Sequence, residues 1–134
     1  MSLPPHAVVS EPRGDLAIRV IAMPANANPS GDIFGGWLLS QMDLAGGNVA
    51  VARARGRVAT VAIDSMTFIS PVFVGDEVSI YAQVMKTGRT SIRVRVEAWR
   101  RNRHTDAMHR VTEATFVFVA IDENRQPRPV PPLE

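Results

Sequence analysis

The sequence predicts an α+β fold in which one antiparallel sheet wraps around a single long central helix. Three observations lead to this prediction. The length of 134 residues fits one domain, a helical period runs through residues 33–54, and four strand-like segments follow it. Because one helix cannot cover both faces of a flat sheet, a sheet that curls around the helix is the natural packing.

The two ends of the chain predict no regular structure. Residues 1–15 are rich in proline and polar side chains, and residues 124–134 contain four prolines. We therefore expect irregular tails at both ends and a single domain over residues 16–123. At the start of that domain, the apolar run from Leu16 to Ala22 predicts a first strand.

One long helix is predicted over residues 33–54, after a loop at residues 23–32. Its apolar residues recur every three or four positions and so share one face: Phe34, Leu38, Met42, Ala45, Val49 and Ala52. Asp32 stands where an N-cap residue is expected. The predicted helix also contains four glycines: Gly35, Gly36, Gly46 and Gly47. Since each costs roughly 1 kcal/mol relative to alanine, we expect another backbone or a ligand to approach closely.

Four strands are predicted after the helix, at residues 58–69, 77–86, 90–100 and 110–121. Thr87-Gly88 predicts a tight turn between the second and third of these. The third strand alternates, with Ile92, Val94, Val96 and Ala98 on one face and Arg93, Arg95, Glu97 and Trp99 on the other. This pattern predicts one face in water. The last strand is apolar on both faces from Phe116 to Ile121, so it requires cover from the helix and other strands or from a second subunit.

The charge is nearly balanced overall but not locally. The chain has 15 basic and 13 acidic residues, a formal net charge of +2, which does not indicate a nucleic-acid-binding protein. Between Lys86 and Arg110, however, eight basic residues accompany only Glu97 and Asp106. We expect an anionic molecule to meet that part of the surface.

Several kinds of site and location are disfavoured by the composition. The chain has no cysteine, which excludes disulfides, thiolate metal sites and cysteine nucleophiles. The cluster of His104, Asp106 and His109 matches no metal-ligand spacing, so we interpret it as a polar connection between strands. Because no apolar run could span a membrane and no signal peptide is evident, we expect a cytoplasmic protein without a membrane partner.

Asp43 is the first candidate for chemistry. It lies in the middle of the predicted helix, with Gly46 and Gly47 three and four residues further along. Two glycines that clear space beside a carboxylate would let it reach a substrate through a narrow slot. The alternative is an ordinary helix aspartate that faces solvent, and the pattern alone does not choose between them.

The helix start is the second candidate. Asn28, Gly31 and Asp32 cluster around it, and the first-turn amides of a helix lack internal partners and carry the positive end of its dipole. An amide at Gly35 or Gly36 could therefore stabilise an oxyanion, as acyl transfer requires. The alternative is a flexible turn that tolerates glycine.

Gly35 and Asp43 cannot both reach one carbonyl from the same helix. They are eight residues apart, which corresponds to about 12 Å along the axis and a rotation of roughly 80°. If both act together, the Asp43 of one subunit must meet the helix start of another, and a two-fold dimer provides that arrangement twice.

Several segments resemble a known family. The stretch from Asn28 to Asp43, NPSGDIFGGWLLSQMD, is similar to the helix-start signature of hotdog-fold acyl-CoA thioesterases, specifically their YciA-like branch. Further similar segments follow at the family spacing, at residues 56–68, 71–76, 88–91, 111–116 and 128–131. The resemblance covers about residues 16–131, nearly the whole chain.

The resemblance implies hydrolysis of an acyl-CoA thioester to free acid and CoA, without a metal or another cofactor. It makes Asp43 the general base for water or the nucleophile, and the sequence leaves both open. It makes the Gly35 amide the donor to the thioester oxygen, and it gives Asn28 the task of positioning water or the thioester. The family fold further implies a homodimer with a continuous sheet, often assembled into a hexamer as a trimer of dimers.

The phosphates of CoA are anions that the excess of basic residues between Lys86 and Arg110 could bind. Arg57, Lys86, Arg89 and Ser91 lie at predicted strand ends, where each could meet a phosphate or could simply belong to a solvated face. Gly36 adjoins the oxyanion turn and is included among the substrate-binding residues. We expect Arg93 and Arg95 at the surface.

Two other functions remain open at this point. A hotdog hydratase or dehydratase acting on an enoyl thioester usually pairs a carboxylate with a histidine, and no histidine lies near the predicted helix start. A noncatalytic module could use the basic stretch to hold nucleic acid or an acidic protein. That stretch lacks the interleaved aromatic residues of single-strand binders, so we expect no nucleic-acid partner.

Overall fold

The computed structural model describes residues 11–133, so residues 1–10 of the predicted N-terminal tail lie outside the described part. Within it, the regular elements are β1 (Asp15–Ile21), a 3-10 turn (Pro24–Asn26), α1 (Gly35–Ala54), β2 (Val58–Phe68), β3 (Glu77–Thr87), β4 (Ser91–Arg101) and β5 (Met108–Ala120). The predicted α+β fold is confirmed, and every strand lies within two residues of its predicted bounds.

The five strands form one antiparallel sheet in the order β1-β3-β4-β5-β2. The helix contacts every strand, as expected of a sheet that curls around it. Within the described chain β2 pairs only with β5 and therefore forms one edge of the sheet. No helix of the described chain is long and apolar enough to cross a membrane.

The buried face of α1 differs in part from the predicted stripe. Leu38, Met42 and Ala45 are buried as predicted, whereas Phe34 is 47% exposed. Toward the end of the helix the burial moves to Ala50 and Ala54 and leaves the predicted position Ala52 exposed. A curled sheet covers more of the helix circumference than a flat one, so the buried face is wider than a single stripe.

Gly46 is the position where α1 and the sheet come closest. A Cβ atom at Gly46 would lie 3.1 Å from Cγ2 of Val96 and 3.3 Å from the ring of Phe118, while one at Gly47 would lie 3.7 Å from that ring. The expected close approach is therefore made by side chains of the sheet. Val96 and Phe118 fill the space that Gly46 leaves, so Gly46 does not open a slot beside Asp43.

The alternation predicted that the outer face of β4 is open to water. The structure shows that only part of this face is open. Arg93 is exposed, but Glu97 and Trp99 are fully buried. The Nε of Arg13, from the segment before β1, donates to Oε2 of Glu97 at 2.8 Å, and Nε1 of Trp99 donates to Oε1 at 3.0 Å. The residues before β1 thus cover this end of the strand and satisfy the buried carboxylate.

The last strand receives its cover mainly from the helix. Phe116, Phe118 and Ala120 are buried in the core with α1, and the alternate residues Val117 and Val119 are half-buried on the outer face. β5 lies inside the sheet, between β4 and β2. The strands with an unpaired edge in the described chain are therefore β1 and β2, and not the doubly apolar strand.

Candidate active site

A tight loop leads into α1 and is organised by Asn28. The Oδ1 of Asn28 accepts hydrogen bonds from the amides of Ser30 at 2.9 Å and Asp32 at 3.1 Å, and its own amide donates to the Asp32 carbonyl. Gly31 has a φ of 91°, which favours glycine. Because Oδ1 is occupied, the side chain of Asn28 can serve a ligand only as an N–H donor.

The first turn of α1 has open amides. The N-cap is Phe34, which has no side-chain cap, so the predicted cap by Asp32 is wrong. Asp32 lies too far upstream, where it pairs with Phe73 in an isolated bridge. The first helical hydrogen bond runs from the Leu38 amide to the Phe34 carbonyl, which leaves the amides of Gly35 and Gly36 available in the described chain.

A cavity of about 400 Å³ opens beside these amides. Its lining is mostly apolar, with a few polar groups, and includes Asn28, Asp32, Gly35, Leu38, Phe68 and Ser70. The ring of Phe68 packs over Gly35, where an added Cβ would lie 3.3 Å from it. A Cβ at Gly36 would meet nothing within 4 Å, so that side of the turn is open. The cavity suits an acyl group whose carbonyl faces the helix start.

Asp43 lies outside this cavity. Its Oδ1 accepts a hydrogen bond of 2.7 Å from Oγ1 of Thr60 in β2. Thr60 and Phe68, the neighbours of Asp43 and Gly35, are eight residues apart in β2, a span of roughly 25 Å in an extended strand. The structure thus brings Asn28 and Gly35 together and keeps Asp43 apart from them, in agreement with the helix geometry.

The predicted phosphate-binding residues lie at one end of the sheet. Lys86 lies near the end of β3, Arg89 in the turn that follows it, and Ser91 at the start of β4. Arg57 precedes β2 beside Ile121, the residue after β5. Arg57, Lys86 and Arg89 are exposed. Within the described chain none of the three makes a salt bridge, so their charges are available to an anion.

Most of the other basic residues between Lys86 and Arg110 are neutralised by nearby carboxylates. The ion pairs are Arg93 with Asp64, Arg95 with Glu97, Arg100 with Asp76, Arg101 with Glu77 and Arg110 with Glu113. The local positive excess in the sequence therefore does not form one continuous cationic face. Asp64 and Glu77 come from other strands and Asp76 from the residue before β3, and charge counting between Lys86 and Arg110 does not detect these three partners.

The histidines of the described chain lie near the connection between β4 and β5. His104 lies in the connection between β4 and β5, as predicted, and His109 lies at the start of β5. No group of three or more potential metal ligands occurs among the described residues.

Thr60 and Phe68 are site neighbours that sequence reasoning missed. Thr60 is the lone hydroxyl in the apolar run from Val58 to Ile63, which was a usable signal for a polar partner inside the fold. Phe68 offered no comparable signal, because an aromatic residue at a strand end is common.

Several known proteins are similar to this chain over most of its length. The model of the thioesterase superfamily matches residues 30–107. An uncharacterised acyl-CoA thioester hydrolase of Zymomonas mobilis is 55% identical over 122 residues, which are 91% of this chain and 82% of that protein. The acyl-CoA thioester hydrolase YciA of Salmonella typhimurium is 47% identical over 123 residues, 90% and 92% of the respective chains. The crystal structure of a hexameric thioesterase from Yersinia pestis matches with a TM-score of 0.87 and 48% identity, over 92% of this chain and 100% of that one.

Proposed function

The chain belongs to the thioesterase superfamily, in the hotdog-fold group that contains the YciA acyl-CoA thioester hydrolases, and we propose that it hydrolyses acyl-CoA to a free acid and CoA. The observation that carries the proposal is the amide of Gly35, which has no partner in the described chain and belongs to a residue that lines a mostly apolar cavity at the positive end of α1. An acyl group can enter this cavity while its carbonyl oxygen meets the amide.

The Gly35 amide is proposed to bind the oxygen that becomes negative in the tetrahedral intermediate. Preorganised donors of this kind contribute a large share of the rate in acyl transfer. Asn28 lies on the same cavity wall. Since its Oδ1 is engaged by the loop, we assign its Nδ2 as a second donor, to the thioester or to the attacking water.

Asp43 is proposed to supply the base or the nucleophile. As a base, its free Oδ2 takes a proton from water while the water oxygen attacks the carbonyl carbon. When the intermediate collapses, the C–S bond breaks and the proton returns to the CoA sulfur. As a nucleophile, the carboxylate would instead form a mixed anhydride and release the thiolate, and water would then hydrolyse the anhydride. The Thr60 hydrogen bond fixes the carboxylate in either case.

A second copy of the chain is proposed to bring the partner subunit's Asp43 to the helix start. The edge strand β2 exposes Val61, Ile63 and Phe68, and an unpaired apolar edge favours addition of another strand. If two β2 strands pair antiparallel about a two-fold axis near Asp64, Thr60 of each chain lies opposite Phe68 of the other. The carboxylate held by Thr60 then approaches the amide beneath Phe68.

The larger assembly is proposed to be a hexamer, as a trimer of such dimers. This proposal is supported by the Yersinia pestis relative, which is a hexameric thioesterase.

The phosphates of CoA are assigned to Arg57, Lys86 and Arg89, with Ser91 beside them, because these cations are exposed and unpaired in the described chain. CoA enters as part of the substrate, and we propose no metal or other cofactor.

A thiol-release assay tests the proposed function. Purified protein should release thiol and free acid from at least one member of a panel of short, long, branched and aryl acyl-CoAs. Addition of water to an enoyl-CoA without thiol release would instead support a hydratase. Salt-dependent oligonucleotide binding with no turnover of either substrate would support a noncatalytic binding module.

A further inference from the structure

The closing segment of the chain is attached to the domain by a series of hydrogen bonds. After β5 it turns at Asp122, whose Oδ1 accepts hydrogen bonds from the amides of Asn124 and Gln126 at 2.8 and 2.9 Å. It then runs back past β5, where Pro127 forms a bridge with Ile121. We call residues 121–131 the C-terminal strap.

Arg128 joins this strap to the sheet and to the helix. Its amide donates to the carbonyl of Ala120 at 2.9 Å, its Nε to that of Ile121 at 3.1 Å, and its Nη2 to that of Ala54 at 3.0 Å. Ala54 is the last residue of α1, where carbonyls lack internal partners and the negative end of the dipole lies. Gly56 leaves room for the guanidinium, since a Cβ there would lie 2.5 Å from Nη2.

The strap also holds the backbones of both exposed arginines assigned to phosphate. The Ile121 amide, at the start of the strap, donates to the Arg57 carbonyl at 3.0 Å. The Val130 amide, near the other end of the strap, donates to the Arg89 carbonyl at 2.8 Å. Arg128 lies between these two contacts. Its own guanidinium is bound to two carbonyls, so it is less available to an anion than Arg57 and Arg89.

We propose that Arg128 is a positioning residue for recognition of the CoA phosphates, acting through the C-terminal strap on Arg57 and Arg89. The inference rests on the proposed function and deepens it. A phosphate is bound best when the arginine forks are already in place, because ordering a mobile side chain and backbone on binding reduces affinity. By fixing the two carbonyls next to these side chains, the strap removes part of that cost.

The test compares two substrates that carry the same acyl group, one on CoA and one on N-acetylcysteamine, which has no phosphate. Arg128→Met keeps a long apolar stem and removes the guanidinium. We expect it to raise KM for acyl-CoA about five- to tenfold, the effect of weakening one charge-assisted contact, with kcat changed less than about twofold. The KM for the phosphate-free thioester should not change.

A matched control and a second variant separate positioning from folding. Arg103→Met removes the same charge from an exposed arginine at the other end of the sheet and should leave both substrates unaffected. Val130→Pro deletes the N–H that the Arg89 carbonyl accepts and replaces the half-buried valine side chain with an apolar ring. Because Val130 already precedes a proline and is biased toward extended backbone, the strap should tolerate the change. It should reproduce the selective rise in KM for acyl-CoA.

Two results would overturn the inference while leaving hydrolysis intact. One is an equal loss with both substrates in Arg128→Met and Val130→Pro, which is the behaviour of a purely structural segment. The other is an unchanged KM for acyl-CoA in both variants. Failure of the unaltered protein to hydrolyse either thioester would instead overturn the proposed function, and the inference with it.

Discussion

At the scale of single residues, one carboxylate oxygen of Asp43 accepts a hydrogen bond and the other is free. Thr60 donates to Oδ1, which leaves Oδ2 as the oxygen that can take a proton or attack a carbonyl. Asp43→Asn retains the size and the hydrogen-bond acceptor but removes the base. We expect kcat to fall by about 10²- to 10⁴-fold in a thiol-release assay, with folding unchanged. Asp106→Asn, in the exposed connection between β4 and β5, should retain full activity.

The buried carboxylate of Glu97 predicts a stability effect far from the site. Arg13→Ala would remove the 2.8 Å partner of Glu97 and leave Arg95, at 3.5 Å, as its cation in the described chain, and loss of a hydrogen bond to a charged group destabilises a protein by about 1.5–3 kcal/mol. Chemical denaturation should register this loss. The double variant Arg13→Ala with Glu97→Gln should recover part of it, because the glutamine still accepts from Trp99 and carries no charge, whereas Arg95 loses its carboxylate partner. Equal loss in the single and double variants would show that the charge is not the cause.

Glu97 also marks a limit of sequence reasoning at this scale. The alternation of β4 correctly places Glu97 and Trp99 on the face opposite Val96. It does not reveal what covers that face, because the cover is Arg13, 84 positions away in the chain. By contrast, the local pattern around Asp43 and Gly35 was sufficient to mark both as candidates, and their roles stay predictions.

At the scale of elements, the contact between α1 and the sheet predicts opposite effects at two adjacent glycines. Gly46→Ala gains up to roughly 1 kcal/mol of helix propensity but forces a methyl group to 3.1 Å from Val96, and overpacking costs about 1–3 kcal/mol. Gly47→Ala meets Phe118 at an ordinary 3.7 Å. Thermal unfolding should show Gly46→Ala destabilised and Gly47→Ala stabilised. Equal shifts of both variants would contradict the assigned close approach.

Glu77 links three strands and makes their stability depend on pH. It lies in β3 and pairs with Arg101 in β4 at 3.1 Å and with Arg19 in β1 at 3.5 Å. The hydrogen bond from Arg101 holds the pKa of Glu77 below its ordinary value, although burial opposes the shift. A lowered folded pKa stabilises the protein above the unfolded pKa, and this contribution is lost as the pH falls through the folded value.

We expect the difference in the free energy of unfolding between the unaltered protein and Glu77→Gln to disappear in acid. The free energy of unfolding of the unaltered protein should exceed that of Glu77→Gln by a constant amount above about pH 5 and by progressively less below about pH 4. Denaturant melts across that range provide the measurement. A gap that widened toward low pH would contradict the lowered pKa.

The elements themselves were largely predictable, and the exceptions have identifiable causes. Periodicity predicted each strand and the helix because each element buries a defined face. It failed at the helix start, where Asp32 has the right side chain for a cap but its backbone is engaged with Asn28 and Phe73. It also did not predict the strand order, since the pairing of β2 with β5 depends on contacts distant in sequence.

At the scale of the whole molecule, one chain holds only part of the proposed active site. The helix rise alone predicted this separation, because eight residues between Gly35 and Asp43 correspond to about 12 Å. The fold adds that their contacts, Phe68 and Thr60, lie at opposite ends of the edge strand β2. A dimer through β2 is therefore the central claim of the proposed mechanism.

Complementation between two inactive variants tests that claim most directly. Asp43→Asn removes the carboxylate, and Gly35→Pro removes the amide N–H. Proline is favoured at the first helical position, and Phe34 before it has φ −57° and ψ 130°, which proline tolerates, so the helix should persist. The ring of Phe68, 3.3 Å from the added Cβ, must move by a few tenths of an ångström.

Each variant alone should be inactive. After unfolding and refolding of an equal mixture, half of the dimers should contain both variants, and each of these should have one intact site. The mixture should thus recover about a quarter of the activity of the unaltered protein. A mixture that forms mixed dimers, as verified by affinity tags, and yet recovers no activity would contradict an active site shared between subunits.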